Sequence, residues 1–160
     1  MGGEKILHRA LAGLEAGVVG AGVMLLWFAI HSIWTDDPWW TTPNLLASTF
    51  YGNRVFRMGF GWPTLAGAAL QLCSGGAIGV AYAFGVGKVE RPAGKLGLAL
   101  LTGLAWYYVL EWLLWRRMSP LVPIYASTSA MWFAHFVYGV CLTRYHHRLQ
   151  SIQLQFQGSI

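Results

Sequence analysis

Long stretches of this sequence contain no charged side chain. Lys, Arg, Asp and Glu are all absent between Ala16 and Trp34, between Met58 and Gly87, and between Met118 and Thr143. About 20 mainly apolar residues are enough for a helix to cross a bilayer. Hydrophobic residues make up 56 % of the chain and charged residues 11 %, against roughly 25 % charged in ordinary soluble domains. Too few polar side chains are present to cover a soluble globule, so we predict an all-α integral membrane protein.

Four stretches are long enough to cross the membrane, and we predict a four-transmembrane-helix bundle that forms one membrane domain of residues 1–160. The predicted spans are about 11–34, 63–86, 96–115 and 124–143. The first span follows a basic start, as a signal peptide would. Its apolar region is too long and lacks a small-residue cleavage site, so we predict that it remains in the protein.

An even number of spans puts both termini on one side of the membrane. That side would carry seven basic side chains in and near its loops, against four on the other side. Because basic residues favour the cytoplasmic face, we predict cytoplasmic termini and a location in the inner (plasma) membrane. Tryptophans near the predicted outer boundary fit an interfacial belt: Trp34, Trp39, Trp40, Trp62, Trp112 and Trp115.

The segment between the first two spans is too long for a plain turn. Pro43 suits the first turn of a helix, and Gly52 suits a helix end. We therefore predict a short helix over about 43–51 at the outer membrane interface. The C-terminal tail, 149–160, is uncharged and rich in Gln, and its sequence has too little periodicity to predict its state.

The two halves of the chain share a pattern. Gly22, Trp27 and Trp34 match Gly103, Tyr108 and Trp115 at an offset of 81. Pro43 then matches Pro123 at an offset of 80, and the Ala-Ser-Thr triplets 47–49 and 126–128 match at 79. This order predicts a parallel duplication of a two-helix unit, as in repeats related by an axis along the membrane normal.

Small residues recur at helical spacing within the predicted spans. Such faces let helix backbones approach closely in lipid. The residues expected to pack helices are Gly75 and Gly79 in the second span and Ala126, Ala130 and Ala134 in the fourth, with further small faces at Gly13, Gly17 and Ala21 and at Ala77, Ala81 and Gly85. Four helices do not need so many small faces to cover one another, which favours association with another protein.

Four ionisable side chains fall within the predicted spans and are candidates for an intramembrane polar site. Glu15 is expected near the cytoplasmic end of the first span, as a proton or cation site or as a carboxylate paired with Lys5, Arg9 or a basic loop residue. His31 and Glu111 are expected at equal depth near the outer ends of the first and third spans. That placement makes them a possible pair facing the bundle interior.

His135 is expected near the middle of the fourth span, among aromatic residues. It could ligate a haem or chlorophyll-type pigment, or form a hydrogen bond across a helix interface. A single haem held by both His31 and His135 is not expected, because their depths differ by roughly 10 Å at 1.5 Å per residue.

The sequence contains none of the motifs that indicate common catalytic chemistry, such as Ser-His-Asp order, HExxH or a glycine-rich phosphate loop. We predict no enzyme activity, no metal site and no nucleic-acid partner. The expected function is that of an accessory or assembly subunit of a larger membrane complex, with lipid and other subunits or further copies of the chain as partners. The alternatives are a small proton-coupled transporter or channel, and a haem- or pigment-binding subunit on His135.

Overall fold

The computed structural model describes residues 2–86, 89 and 91–157, and these residues form helices and connecting turns with no β-strand. The helices are α1 (Gly2–Trp34), α2 (Thr41–Tyr51), α3 (Trp62–Gly85), α4 (Pro92–Val109), α5 (Arg116–Met118), α6 (Leu121–Tyr125), α7 (Thr128–Leu142) and α8 (Tyr145–Gln157). A 3₁₀ helix (Gly52–Arg57) follows α2, and a π-helical segment (Leu110–Trp115) joins α4 to α5. The predicted all-helical class is confirmed for these residues.

Three helical stretches are long and apolar enough to cross a membrane, which supports a membrane location. They are Gly3–Trp34, Trp62–Gly85 and Pro92–Met118, and they contain the first three predicted spans almost entirely.

The prediction of one continuous helix over 124–143 is wrong. The chain leaves helical geometry at Ala126 and Ser127, whose backbones are extended, and α7 begins at Thr128. The Ser127 hydroxyl accepts a hydrogen bond from the Ala130 backbone N–H (3.4 Å), as an N-cap does. The resulting α7 has 15 residues and is therefore about 22 Å long, shorter than the roughly 30 Å hydrocarbon core.

The short helix between the first two long helices is confirmed, although it begins at Thr41 rather than at Pro43. It ends at Gly52 as predicted, where the backbone has a positive φ of 56° that glycine adopts without a steric penalty. The central part of α2 is buried, mainly against α3. Asn44 connects this helix to the next loop through hydrogen bonds, because its side-chain amide donates to the Met58 and Gly59 carbonyls at 2.9 and 3.2 Å.

The four longer helices run alternately up and down, with α1 in contact with both α3 and α7 and with α7 also in contact with α4. In contrast, α3 and α4 hardly touch. These four helices therefore lie in a curved row in the order α3, α1, α7, α4, with an open side between its two ends.

Glycines bring the backbones of α1 and α3 into direct contact. A Cβ atom at Gly79 would lie inside van der Waals contact with the Gly13 carbonyl oxygen and 2.7 Å from Gly17 Cα. A Cβ at Gly75 would lie 2.6 Å from the Ala21 methyl group. Two small-xxx-small motifs thus face each other, so the structure gives Gly75 and Gly79 the packing role predicted for them.

The α4–α7 contact is built in the same way. A Cβ atom at Gly103 would overlap the His135 carbonyl oxygen and would lie 3.0 Å from Gly139 Cα. Of the three alanines predicted to pack the fourth span, Ala130 and Ala134 are buried in α7, whereas Ala126 is half-buried in the break before that helix.

Aromatic donors connect the helices across these close contacts. The Tyr138 hydroxyl of α7 donates to the Gly75 carbonyl of α3 at 2.5 Å, and the Trp27 indole N–H of α1 donates to the Ala130 carbonyl at 3.0 Å. Tyr138 is fully buried, and its ring occupies the space left open by the missing side chain of Gly20. These bonds fix how far each helix can slide along its neighbour.

The residues matched between the two halves have only partly equivalent positions. Pro43 and Pro123 are each the third residue of a short helix that precedes a long one. Ser48, however, lies inside α2 and donates to the Leu45 carbonyl, whereas Ser127 caps α7.

Candidate functional site

Glu15 and Arg148 form an ion pair at the end of the bundle where α1 begins. The Arg148 Nε atom lies 2.6 Å from a Glu15 carboxylate oxygen, and both side chains are 38 % exposed. A basic partner for Glu15 was expected, but the partner is Arg148, which follows the last predicted span, rather than Lys5 or Arg9. The pair connects α8 to α1 in contact with solvent.

The tail that the sequence left undecided is helical as far as Gln157, and 158–160 lie outside the described residues. Tyr145 anchors the start of α8, because it is buried and its hydroxyl donates to the Ala83 carbonyl at 3.4 Å. Burial raises the pKa of the Tyr145 hydroxyl. Burial, and next the charge of Lys95, lowers the pKa of His146 below its ordinary value.

His31 lies at the opposite end of the bundle, in the wall of a cavity of about 220 Å³ between α1, α2 and the start of α7. We call it the hydroxyl cavity, because Ser32, Thr35, Thr41, Thr42 and Ser127 contribute to its lining. His31 and Glu15 are 16 residues apart on α1, and are therefore separated by about 24 Å. The structure does not bring these two predicted site residues together.

Glu111 lies in the π-helical segment that follows α4. Its side chain is outside the described part of the structure, so the proposed pairing with His31 remains a prediction. Short π-helical segments often occur at functional positions, because they change which side chains face a neighbouring helix.

His135 is 3 % exposed and lies where α7 meets α4. Its Nδ1 atom is 2.8 Å from the Met131 carbonyl oxygen, and its ring packs edge-on against Tyr107. Because a carbonyl can only accept, Nδ1 carries the proton and Nε2 is a buried acceptor without a hydrogen-bond partner among the described residues. His135 does not line the hydroxyl cavity. Because its side chain is buried where α7 meets α4, a haem or pigment bound to Nε2 would require the residues around it to move.

The open side of the bundle forms the α3–α4 groove, a cavity of about 410 Å³ with an almost wholly apolar lining. Ile78, Ala81 and Gly85 line it from α3, and Leu98, Leu101 and Ala105 line it from α4. Direct contact between the two helices includes a hydrogen bond at one end, from the Tyr82 hydroxyl to the Lys95 carbonyl at 3.3 Å.

The two small-residue faces of α3 therefore have different surroundings. Gly75, Gly79 and Ala83 are buried against α1, whereas Ala77, Ala81 and Gly85 are exposed. Nothing lies within 4 Å of a Cβ built at Gly85. Both faces were predicted from the sequence, but their spacing could not show which one is covered.

Neither a metal-ligand cluster nor a similar protein identifies the function of these sites. Within the described residues, no three His, Cys, Asp or Glu side chains are close enough to hold a metal ion. The sequence matches no family model, and the comparisons with curated proteins and with solved structures returned no match.

Proposed function

We propose that this protein is a non-catalytic integral membrane protein that acts as an accessory or assembly subunit of a larger membrane complex. In this proposal, one transmembrane helix of a partner protein lies in the α3–α4 groove. The observation that carries the proposal is the exposed small-residue face of Ala77, Ala81 and Gly85, of which Ala81 and Gly85 line that groove.

This face has the chemistry of a helix-packing surface. In lipid, apolar side chains gain little from leaving the acyl chains, so helices associate where small residues allow close backbone contact. The same arrangement, small residues four apart, holds α1 against α3 on the opposite side of α3. The facing wall adds Leu98, Leu101 and Ala105, whose side chains can surround a third helix.

We further propose that the predicted fourth span, about 124–143, crosses the membrane, with α2 and α8 at the membrane surfaces. Because α7 is shorter than the hydrocarbon core, the residues that precede Thr128 complete this crossing. The antiparallel run of α7 beside α1 and α4 supports this arrangement. The equivalent positions of Pro43 and Pro123 support an origin by duplication. With four crossings, we expect both termini in the cytoplasm and the protein in the inner (plasma) membrane, because the distribution of basic residues favours this orientation. A reporter that works only in the cytoplasm should be active when it is fused after Ile160. If instead only a reporter that works outside the cytoplasm is active there, this topology is refuted.

The test of the partner site is purification of the tagged protein from its native membranes in lipid-preserving particles, followed by native mass spectrometry. The wild-type protein should carry a companion in a fixed ratio. Ala81→Leu should release it, because the new side chain fills the close-approach surface. Ala69→Leu is the matched control, since Ala69 is also exposed on α3 but does not line the groove.

Two outcomes would refute the proposal. The first is a wild-type protein that purifies alone, or only with copies of itself. The second is equal loss of the companion in Ala81→Leu and Ala69→Leu, because that result would show a general effect of added bulk on α3.

A small proton-coupled transporter is the second candidate, favoured by the hydroxyl cavity around His31. The remaining observations favour the accessory subunit. Glu15 is held by Arg148 at the other end of the bundle, and His135 does not line that cavity. Proton uptake by protein reconstituted in vesicles, abolished by Glu15→Gln without loss of folding, would reverse this order.

A further inference from the structure

A second cavity adjoins the hydroxyl cavity at the same end of the bundle and is independent of the α3–α4 groove. It has a volume of about 440 Å³ and shares four lining residues with its neighbour: Asp37, Thr41, Leu45 and Tyr125. We call it the aromatic cavity, because Trp40, Phe56 and Tyr125 line it. A carboxylate thus lies where a hydroxyl-rich space and an aromatic space meet.

The turn after α1 holds this carboxylate in place. Asp36 has a positive φ of 59°, a left-handed conformation that Asp adopts more readily than most residues. The chain reverses there, and the Asp37 backbone N–H donates to the Ser32 carbonyl at 2.8 Å. The Thr35 hydroxyl lies 3.3 Å from an Asp37 carboxylate oxygen, and the His31 and Ser32 carbonyl oxygens, each 3.1 Å away, are alternative acceptors for its one proton. Asp37 consequently lines both cavities, whereas its neighbour Asp36 lines neither of them.

Asp37 is the acidic residue in the lining of both cavities. Neither Lys nor Arg lines them, although Arg54 and Arg57 are exposed on the 3₁₀ helix nearby. The Asn44 amide is already engaged, because it donates to two loop carbonyls and its oxygen accepts from the Thr64 hydroxyl at 2.7 Å. Asp37 is therefore the charged group available to a ligand in the aromatic cavity.

We propose that the aromatic cavity binds an organic cation, an amine or a quaternary ammonium group. The faces of aromatic rings attract cations, and this attraction is strongest in sites that combine several rings with partial exclusion of water. In this site the cation lies against Trp40 and the Phe56–Tyr125 pair, whose rings are 54 % and 62 % exposed and pack edge to face with centroids 4.8 Å apart. The exposed Asp37 carboxylate neutralises the charge of the cation. The hydroxyl cavity accommodates a polar group attached to the cation, such as the hydroxyl of choline.

Choline and its neutral carbon analogue 3,3-dimethylbutanol provide the direct test, because they have nearly the same shape and differ in charge. Binding is measured by isothermal titration calorimetry on the full-length protein in a maltoside detergent, which contains no ammonium group. Choline should bind at least tenfold more tightly than the neutral analogue. Asp37→Asn should weaken choline binding at least tenfold, and Asp36→Asn, the matched control, should leave it unchanged.

Two results would overturn the proposal. One is equal affinity for choline and the neutral analogue. The other is an equal effect of the two Asp→Asn variants, because general surface charge would then explain binding. Trp40→Leu supplies a test that does not depend on the carboxylate: a correctly folded variant with unchanged choline affinity also contradicts the aromatic site.

The cation could belong to a free amine or to a lipid headgroup, and nanodiscs distinguish these sources. If phosphatidylcholine headgroups occupy the site, added choline should bind in phosphatidylglycerol nanodiscs but not in phosphatidylcholine nanodiscs. Equal binding in both assigns the site to a soluble cation. Absence of choline binding in phosphatidylglycerol nanodiscs, as well as in detergent, contradicts the proposal.

Discussion

Replacing Gly79 with Ala should destabilise the bundle, although alanine is the better helix former. The new Cβ would lie 2.7 Å from Gly17 Cα and 2.8 Å from Gly17 N, whereas ordinary contacts begin at 3.4 Å. It would also overlap the Gly13 carbonyl oxygen. All three neighbours are backbone atoms, so no side chain can rotate away, and α1 and α3 must separate by about 1 Å to relieve the closest overlap.

The size of the expected destabilisation follows from the van der Waals contacts that such a separation weakens. A gap of 0.5–1 Å removes a quarter to a half of the attraction in each atom pair. For about 50 pairs at about 0.15 kcal/mol each, the loss is about 2–4 kcal/mol. Replacing Gly by Ala within a helix stabilises the helix by about 1 kcal/mol. We therefore expect a net decrease of about 1–3 kcal/mol in the free energy of unfolding, in the range typical of overpacked cores.

The assay is equilibrium unfolding of purified protein in maltoside micelles titrated with dodecyl sulfate, monitored by tryptophan fluorescence and far-ultraviolet circular dichroism. Gly22→Ala is the matched control, because a Cβ at Gly22 meets nothing within 4 Å. That variant should be unchanged or more stable by up to about 1 kcal/mol. If Gly79→Ala proves as stable as Gly22→Ala, the close contact between α1 and α3 does not exist as described.

Three further perturbations test other contacts. Tyr138→Phe removes the hydroxyl that donates to the Gly75 carbonyl, and in the same unfolding assay it should destabilise the protein by about 0.6–1.7 kcal/mol, as expected for hydrogen bonds between membrane helices. Glu15→Gln breaks the ion pair with Arg148; because both side chains are partly exposed, stability should fall by less than about 1 kcal/mol, and by still less in 1 M salt. Burial lowers the pKa of His146, so the folded protein binds a proton at His146 less readily than the unfolded chain does. Stability should therefore fall as the pH drops through about 6.5. In thermal unfolding between about pH 5 and 8, His146→Gln should reduce this pH dependence.

Local features of the sequence were sufficient to predict most of the helices. Uncharged apolar stretches indicate membrane-spanning helices because the bilayer excludes charge and requires internally satisfied backbone groups. On this basis the first three long helices were expected close to where they occur, and the short helix was expected to end at Gly52. The two Gly-xxx-Gly motifs likewise indicated close packing, because only small residues permit it.

The sequence could not predict the interruption before α7. The apolar composition of 124–143 is continuous, so hydropathy gives no reason for a break. Ser127 is a good N-cap in its extended conformation, but a serine within an apolar run is equally compatible with a continuous helix. Packing of α6 against α2 and the π-helical segment accompanies the break in the folded chain.

The tertiary structure also decided which residues form sites. Spacing along a helix identifies a face but not its neighbour, so the sequence could not show that Gly79 meets α1 while Ala81 faces an open groove. The sequence did not single out Asp37, which became a candidate ligand-binding residue because the turn at Asp36 brings it to the junction of two cavities. Hydropathy and local propensity act between near neighbours in the chain, whereas a cavity is made by side chains from several helices. The sequence therefore determined which segments are helical and apolar, and the relative placement of those helices determined where a partner or ligand can bind.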